Sequence, residues 1–303
     1  MKTRQVQVVV PASTANLGPG FDCLGLALSL HNTIEVELSD QDQKVEITVE
    51  GEGANLLPRD NKNLILESIS IVAGDGLKNR GLRIKAASKI PLSSGLGSSA
   101  AATVAGLVAA NALFETNLSP EELLSIAAEK EGHPDNAAAA LFGGLVAVSG
   151  DGKTIHLAEF DIAPLQVVIA LPALQLSTVE ARKVLPKQVS LKDAVANMGG
   201  SIFVLKALET GDFDQLRWAM KDRWHQPYRE LLIPGFHEVS EAALKNGAAA
   251  VTLSGAGPSL AAFAPEGHQK IAAAMASAFQ AKGISCRTFI LPVDQKGAQV
   301  KLL

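Results

Sequence analysis

Pro91-Leu92-Ser93-Ser94-Gly95-Leu96-Gly97-Ser98-Ser99-Ala100-Ala101 is the segment on which the fold turns. Glycines this closely spaced let the backbone approach an anion, because no Cβ stands in the way. An alanine-rich run follows at once, so a helix opens near Ser98 and continues to about Phe114. The first N–H groups of that helix have no intrahelical partner, and its dipole is positive at this end. Both features favour a bound phosphate. Ser98 and Ser99 add hydroxyls that suit a phosphate oxygen or Mg²⁺. The same residues could merely cap a helix, and the loop alone leaves both readings open. A Gly-x-x-x-x-Gly-Lys-Ser/Thr pattern is absent from the chain, so this is not a P-loop.

Working outward, residues 5–10, 33–38, 44–50 and 81–88 alternate as strands do, and residues 63–77 carry apolar side chains at helical spacing. Ser119-Pro120-Glu121-Glu122 is a helix start, with a hydroxyl cap, proline in the first position and acid in the first turn. The second half has a different grammar. A strand at 166–171 precedes helices at 191–209 and 236–245. Strands at 248–253 and 260–263 flank Ser254-Gly255-Ala256-Gly257-Pro258-Ser259. A further helix lies within 264–281 and a last strand at 284–293. Setting the extra helices aside, the order is β-α-β-β-α-β, a ferredoxin-like split motif. The expected class is therefore α+β in two domains, 1–160 and 161–303, joined near residues 160–164.

Composition narrows the function. A chain of 303 residues with 47% hydrophobic content can bury a sizeable core, and with aromatics at 4% that core must be aliphatic. The net charge of −4 and the lack of a Lys/Arg run argue against nucleic acid as a partner. Cys23 and Cys286 have neither disulfide-framework nor zinc-ligand spacing. The start of the chain carries no long apolar leader, and the greasiest run, 100–110, is too short to span a bilayer. A cytoplasmic protein without a membrane partner is expected.

The 91–101 loop resembles the ATP loop of the GHMP kinases, the superfamily of galactokinase, homoserine kinase, mevalonate kinase and phosphomevalonate kinase. Pro11-Ala12-Ser13-Thr14-Ala15-Asn16-Leu17-Gly18-Pro19-Gly20-Phe21-Asp22 is similar to the first motif in its homoserine kinase form. Leu253 to Ser259 resembles the third, a glycine loop bordering the active site. Three motifs in family order span residues 11–259. The resemblance implies a ribosomal S5-like α/β amino-terminal domain that binds ATP, a ferredoxin-like carboxy-terminal domain, and a possible homodimer. It places the nucleotide on Pro91, Leu92, Ser93, Ser94, Gly95, Leu96, Gly97, Ser98, Ser99, Ala100 and Ala101, with Asn61 and Asn63 near adenine and Lys89 as an extra cation. Mg²⁺ falls to Ser99 and Glu131, hard oxygen ligands of the kind that ion takes.

For the acceptor, the homoserine kinase family implies L-homoserine. Asn16 and Asp22 flank a Gly-Pro-Gly turn and suit an ammonium group, although both are ordinary turn residues as well. Arg182, in Ser177-Thr178-Val179-Glu180-Ala181-Arg182, and Arg229, in Gln226-Pro227-Tyr228-Arg229, suit a carboxylate; surface ion pairs are the alternative for each. Thr178, His133, Gly255 and Gly257 complete the implied acceptor pocket. Asn136 is expected to orient the reacting hydroxyl, with Asp135 the contender for a general base. The family often continues after Asn136 with Val-Ala-Pro-Ala, where this chain has Ala137-Ala138-Ala139-Ala140. A mevalonate-type kinase and a non-catalytic protein of the same fold are the alternatives.

Overall fold

The computed structural model describes residues 4–40, 43–150 and 154–303; residues 1–3, part of the amino-terminal stretch read above, lie outside it. The chain opens with β1 (Arg4–Ala15), β2 (Leu24–Ser39), β3 (Val45–Gly51), α1 (Leu64–Ala73), β4 (Gly81–Ser88), α2 (Ser98–Phe114), α3 (Pro120–Glu131), α4 (Asp135–Phe142), β5 (Leu145–Gly150) and β6 (Ile155–Phe160). It continues with β7 (Gln166–Pro172), α5 (Thr178–Lys183), α6 (Leu191–Thr210), α7 (Phe213–Ala219), α8 (Gln226–Arg229), α9 (Phe236–Lys245), β8 (Ala250–Leu253), β9 (Leu260–Ala264), α10 (His268–Ala281), β10 (Cys286–Pro292) and β11 (Gln299–Leu302).

The alternation read in the first strands is the burial pattern. Val6, Val8 and Val10 of β1 and Ile34, Val36 and Leu38 of β2 face one core. The first sheet runs β11-β1-β2-β4-β3, with β5 and β6 added along the start of β2; β3 and β4 are parallel and the other pairs antiparallel. The second sheet has the order β10-β7-β9-β8, all antiparallel. With α10 crossing between β9 and β10, and the helices α5 to α9 between β7 and β8, this is the split β-α-β motif expected from the sequence.

The expected join falls between β6 and β7, which belong to different sheets. Residues 161–303 do not stay with the second sheet, however. β11 crosses back and pairs with β1, Val6 opposite Leu302. Its short alternation lacked a turn signal strong enough to separate it from a tail. Both cysteines are free. Among the described residues, no helix is long and apolar enough to cross a membrane.

Helix α2 is the axis of the first unit. It is buried on nearly every side because β1, α1, α3 and α4 all pack on it. Alanine and glycine suit that position, since bulk would hold the neighbours off. At Gly106 a Cβ would lie 2.5 Å from the carbonyl oxygen of Ile65 and 2.7 Å from Ser68 Cβ. α3 is started by a capping box: Ser119 Oγ accepts the Glu122 N–H, and Glu122 Oε2 accepts the Ser119 N–H at 2.8 Å. The helix is stopped by Gly132 in the left-handed region (φ +78°), whose N–H donates to Ala128 O, so Glu131 is its last residue. Gly106→Val is expected to lower the unfolding free energy by about 1–3 kcal/mol in a urea titration, because α1 cannot retreat without opening the core. An unchanged transition would show that α1 and α2 tolerate separation.

Candidate active site

The three glycine-bearing segments meet and hold one another. Ser254 Oγ donates to Gly95 O at 2.7 Å, Ser13 N to Leu96 O at 3.1 Å, and Gly255 N to Ala15 O at 3.2 Å. Glycine is required where they touch. A Cβ on Gly95 (φ +78°) would lie 2.2 Å from Ser254 O, and one on Gly97 (φ +69°) 2.2 Å from Ser13 Oγ. Their junction borders a cleft of about 450 Å³.

At one end of the cleft stands the amino terminus of α2. Ser93, Ser94, Gly95, Gly97, Ser98, Ser99 and Ala100 line it. Pro91, Leu92, Leu96 and Ala101 support it from behind: Pro91 O accepts the Ser94 hydroxyl, and Leu96 and Ala101 are fully buried. Glu131 lies across from this turn. Its carboxylate accepts the Ser99 hydroxyl at 2.6 Å and the Thr103 hydroxyl at 2.7 Å. A carboxylate and a hydroxyl this close form a hard-oxygen pair that fits a divalent ion completing its shell with phosphate and water. Lys130, the residue before Glu131, lines the same cleft and pairs with Glu67. It also borders an adjoining cavity that includes Asn61 and Ser70.

Two nucleotide-side expectations fare differently. Lys89 is exposed and does not line the cleft; its backbone N–H instead donates to Asn32 Oδ1. Asn63 is the N-cap of α1. Its Oδ1 accepts the N–H of Ile65 and its Nδ2 donates to Pro58 O, so its side chain is occupied in shaping the loop. The lysine that lines the cleft is Lys130. Nothing in its local sequence separates it from a surface lysine on α3.

At the other end the charged residues converge. A capping box at Ser177 and Glu180 sets α5, and Thr178 and Arg182, four residues apart, both reach the cleft. Arg182 makes a two-pronged ion pair with Asp22, at 2.7 and 3.0 Å. The aromatic ring of Phe21 lies beneath both arginines, 5.5 Å from the Arg182 guanidinium and 5.1 Å from that of Arg229. Arg229 is buried, and burial together with Arg182 lowers its pKa to about 10, which still leaves it charged at neutral pH. Asn16 lines the cleft, but its amide is engaged: Nδ2 donates to Gly255 O and Oδ1 accepts the Asp22 N–H, both at 2.9 Å. It ties the first motif to the third and aims Asp22. Gly255 and Gly257 line the cleft beside it.

Between the two ends lies the start of α4. Asp135 Oδ1 accepts the Asn136 N–H and bonds His133 Nδ1, each at 2.8 Å, so this buried carboxylate is held by its own helix and by the imidazole. Burial opposes charge on His133, but the hydrogen bond to Asp135 and the nearby carboxylates outweigh it and raise the pKa above the ordinary histidine value. Asn136 is oriented by Ser13, whose hydroxyl donates to its Oδ1 at 2.9 Å. That leaves Nδ2 as the group Asn136 can offer to a ligand. Ser13, Phe21, Thr103 and Lys130 are the site residues that sequence reasoning did not single out. Ser13 and Phe21 lay inside the quoted first motif; the other two are unremarkable helix residues until α2 and α3 are packed together.

The GHMP kinases N terminal domain matches residues 63–144 and the GHMP kinases C terminal domain residues 204–281. A homoserine kinase of Moorella thermoacetica is 44% identical over 97% of this chain and 99% of its own length, and one of Carboxydothermus hydrogenoformans is 42% identical over 97% and 96%. The crystal structure of homoserine kinase from Cytophaga hutchinsonii superposes with a TM-score of 0.88 at 35% identity, covering 98% of this chain and 97% of that one.

Gly95→Ala is expected to weaken binding of a non-hydrolysable ATP analogue by tenfold or more in calorimetry, about 1.4 kcal/mol, because the new methyl must displace the Ser254 carbonyl. Unchanged affinity would show that the contact between these two loops is dispensable for the nucleotide.

Proposed function

The chain belongs to the GHMP kinase superfamily and, within it, to the homoserine kinase family, and from that premise we propose how its cleft phosphorylates the side-chain hydroxyl of L-homoserine with ATP. One observation carries the reading: a phosphate-binding helix terminus and an Asp22/Arg182/Arg229 cluster face one cleft, with the Asn136 amide between them. Asp22 matches an ammonium group and the arginines match an α-carboxylate. A mevalonate-type acceptor has no amine and would leave Asp22 without a ligand. A non-catalytic protein of this fold has no need of the Ser99–Glu131 oxygen pair, which is present.

The nucleotide phosphates lie against the N–H groups of the 93–99 loop and the first turn of α2, where the helix dipole opposes their charge. Ser99 and Glu131 would hold Mg²⁺, which supplies charge neutralisation at the phosphates when bound. Thr103 keeps the Glu131 carboxylate turned toward Ser99. Asn136 Nδ2 donates to the acceptor hydroxyl and fixes its oxygen toward the γ-phosphorus. The new O–P bond forms as the bridging β,γ-oxygen bond breaks, and ADP leaves. The hydroxyl proton passes to the transferring phosphoryl group, a route open to a loose transition state. Asp135 acts by holding His133 and the α4 terminus in place, and not as a base.

This reading places the protein in the cytoplasm, on the route to threonine, as the family implies. A homodimer belongs to the same reading, and the exposed apolar residues Leu191, Val195, Met198 and Ile202 along one face of α6 support it.

ADP release should be robust with L-homoserine and at least tenfold lower in kcat/KM with 4-hydroxybutyrate, which keeps the carboxylate and hydroxyl but lacks the amine. Equal turnover of the two would remove Asp22 from substrate recognition. Asn136→Ala should lower kcat by about one to two decades with ATP KM little changed. Asp135→Asn should retain appreciable kcat once its melting temperature shows it to be folded. A folded, substrate-binding Asp135→Asn protein that has lost about 10²–10⁴ in kcat would instead make Asp135 the base.

A further inference from the structure

His225 is fully buried, touches no group assigned to phosphoryl transfer, and lies under the acceptor end of the cleft. Asp222 builds the turn that places it: the carboxylate accepts the N–H groups of Trp224, His225 and Gln226 and the amide of Asn197. The imidazole stacks on Phe21 with ring centroids 5.2 Å apart. Its Nε2 lies 2.9 Å from Gly18 O, and its Nδ1 lies 3.3 Å from Arg229 Nη1.

These contacts leave one assignment of protons. A guanidinium only donates, so Nδ1 must offer a lone pair. Nε2 then carries the hydrogen and donates to the Gly18 carbonyl, with Asp222 Oδ2 a further 3.4 Å neighbour. Arg229 spends Nε on Ala181 O at 3.1 Å and Nη1 on His225 and on Gly255 O at 3.3 Å. Nη2 is the part of the fork left for a ligand. Without the imidazole acceptor, the guanidinium loses one of the contacts that set its plane and its bridge to Gly18 O, and keeps the Phe21 face as its contact with the 16–22 loop.

We propose that His225 is a positioning residue for the amino-acid carboxylate: as the neutral Nε2–H tautomer it braces Arg229 against the first-motif loop. The inference rests on the homoserine reading above for the identity of the ligand, but not for the tautomer. The charged groups facing the ring are Asp222 before α8, Arg229 on α8 and Asp22 on the 16–22 loop. Burial disfavours the imidazolium most; Asp222 and Asp22 oppose that effect and Arg229 adds to it, and the balance lies below the ordinary histidine pKa. A second proton would sit on Nδ1, opposite the Arg229 N–H, and would push the guanidinium out of register.

Two measurements test this. In nitrogen-15 spectra of the six imidazoles, the His225 ring should show an unprotonated Nδ1 and a protonated Nε2, unchanged from about pH 8 to about pH 6, the interval in which an unperturbed histidine titrates. A protonated Nδ1 at neutral pH overturns the proposal. In steady-state kinetics, His225→Leu should raise homoserine KM by about ten- to a hundredfold while ATP KM moves less than about twofold. His225→Gln, which keeps a donor and an acceptor, should recover most of that loss. A folded His225→Leu protein with normal homoserine KM, or a rise shared equally by ATP, overturns it. If His225→Leu does not fold, the tautomer and the Gln variant decide. Turnover of homoserine by the wild-type protein tests the earlier reading separately.

Discussion

The contact between Ser254 and Gly95 is the constraint on which the site depends. The Ser254 hydroxyl meets Gly95 O although the two residues are 159 positions apart in the chain. With its one proton on Gly95 O, the Ser254 oxygen accepts the Thr14 hydroxyl, 2.9 Å away. One buried side chain thus gathers all three motifs. With the Ser13–Leu96 and Gly255–Ala15 backbone bonds it holds the phosphate loop in a shape that exposes N–H groups to the cleft. Those groups gain nothing inside the protein and are satisfied by an anion. Glycine at 95 and 97 follows from this closeness as much as from the positive φ values.

The same closeness explains why the acceptor end has so many charges without strain. Asp22 and Arg182 satisfy each other across the mouth of the pocket. A zwitterion can take both partners at once, its ammonium on the carboxylate and its carboxylate on the guanidinium, so that no charge is left bare. An acid without an amine strands Asp22, and an amine without an acid strands Arg182. On the proposed reading, selectivity comes from the penalty on the wrong ligand as well as from attraction to the right one. Phe21 contributes to this, because its ring lies within cation–π distance of both guanidinium groups, the buried Arg229 and the part-exposed Arg182.

Much of this was legible in the sequence. The alternation of β1 and β2, the helix start at Ser119 and the strand–loop–helix at 81–114 are local signals, and local physics decides them. The split β-α-β order of the second half followed from element order alone. Asp22, Arg182, Arg229, Glu131 and Ser99 were legible because the motifs carry them into one place. What could not be read is what depends on packing between distant segments. β11 is four exposed residues whose only reason to be a strand is the free edge of β1. Asn63 and Lys89 sit in the right stretch of chain but turn away, Asn63 into its helix cap. Asn16 occupies the pocket wall with its amide already committed. Lys130 and Thr103 become site residues only because α3 ends beside the first turn of α2. A residue's neighbours in sequence give its tendency; its bonding capacity already in use decides its role.

Bonding capacity already in use bears most directly on the fate of the proton. A general base needs a lone pair free to take one. Asp135 has one oxygen, Oδ1, engaged twice, by the α4 backbone and by His133, so a proton it gained would fall to Oδ2. Asn136 cannot serve, since Ser13 occupies its carbonyl oxygen and only its N–H group is left. Glu131 faces the phosphate side and accepts two hydroxyls. Asn136 thus offers a donor and Glu131 an acceptor already in use, while Asp135 has Oδ1 committed and Oδ2 without a hydrogen-bond partner among the described residues. A cleft built this way stabilises negative charge on the phosphoryl oxygens, which are themselves the best proton acceptors available once the bridging bond has lengthened. In the proposed mechanism an alcohol held between a donor amide and a phosphoryl group needs no further base, and the Ser13–Asn136 hydrogen bond is what would supply that positioning.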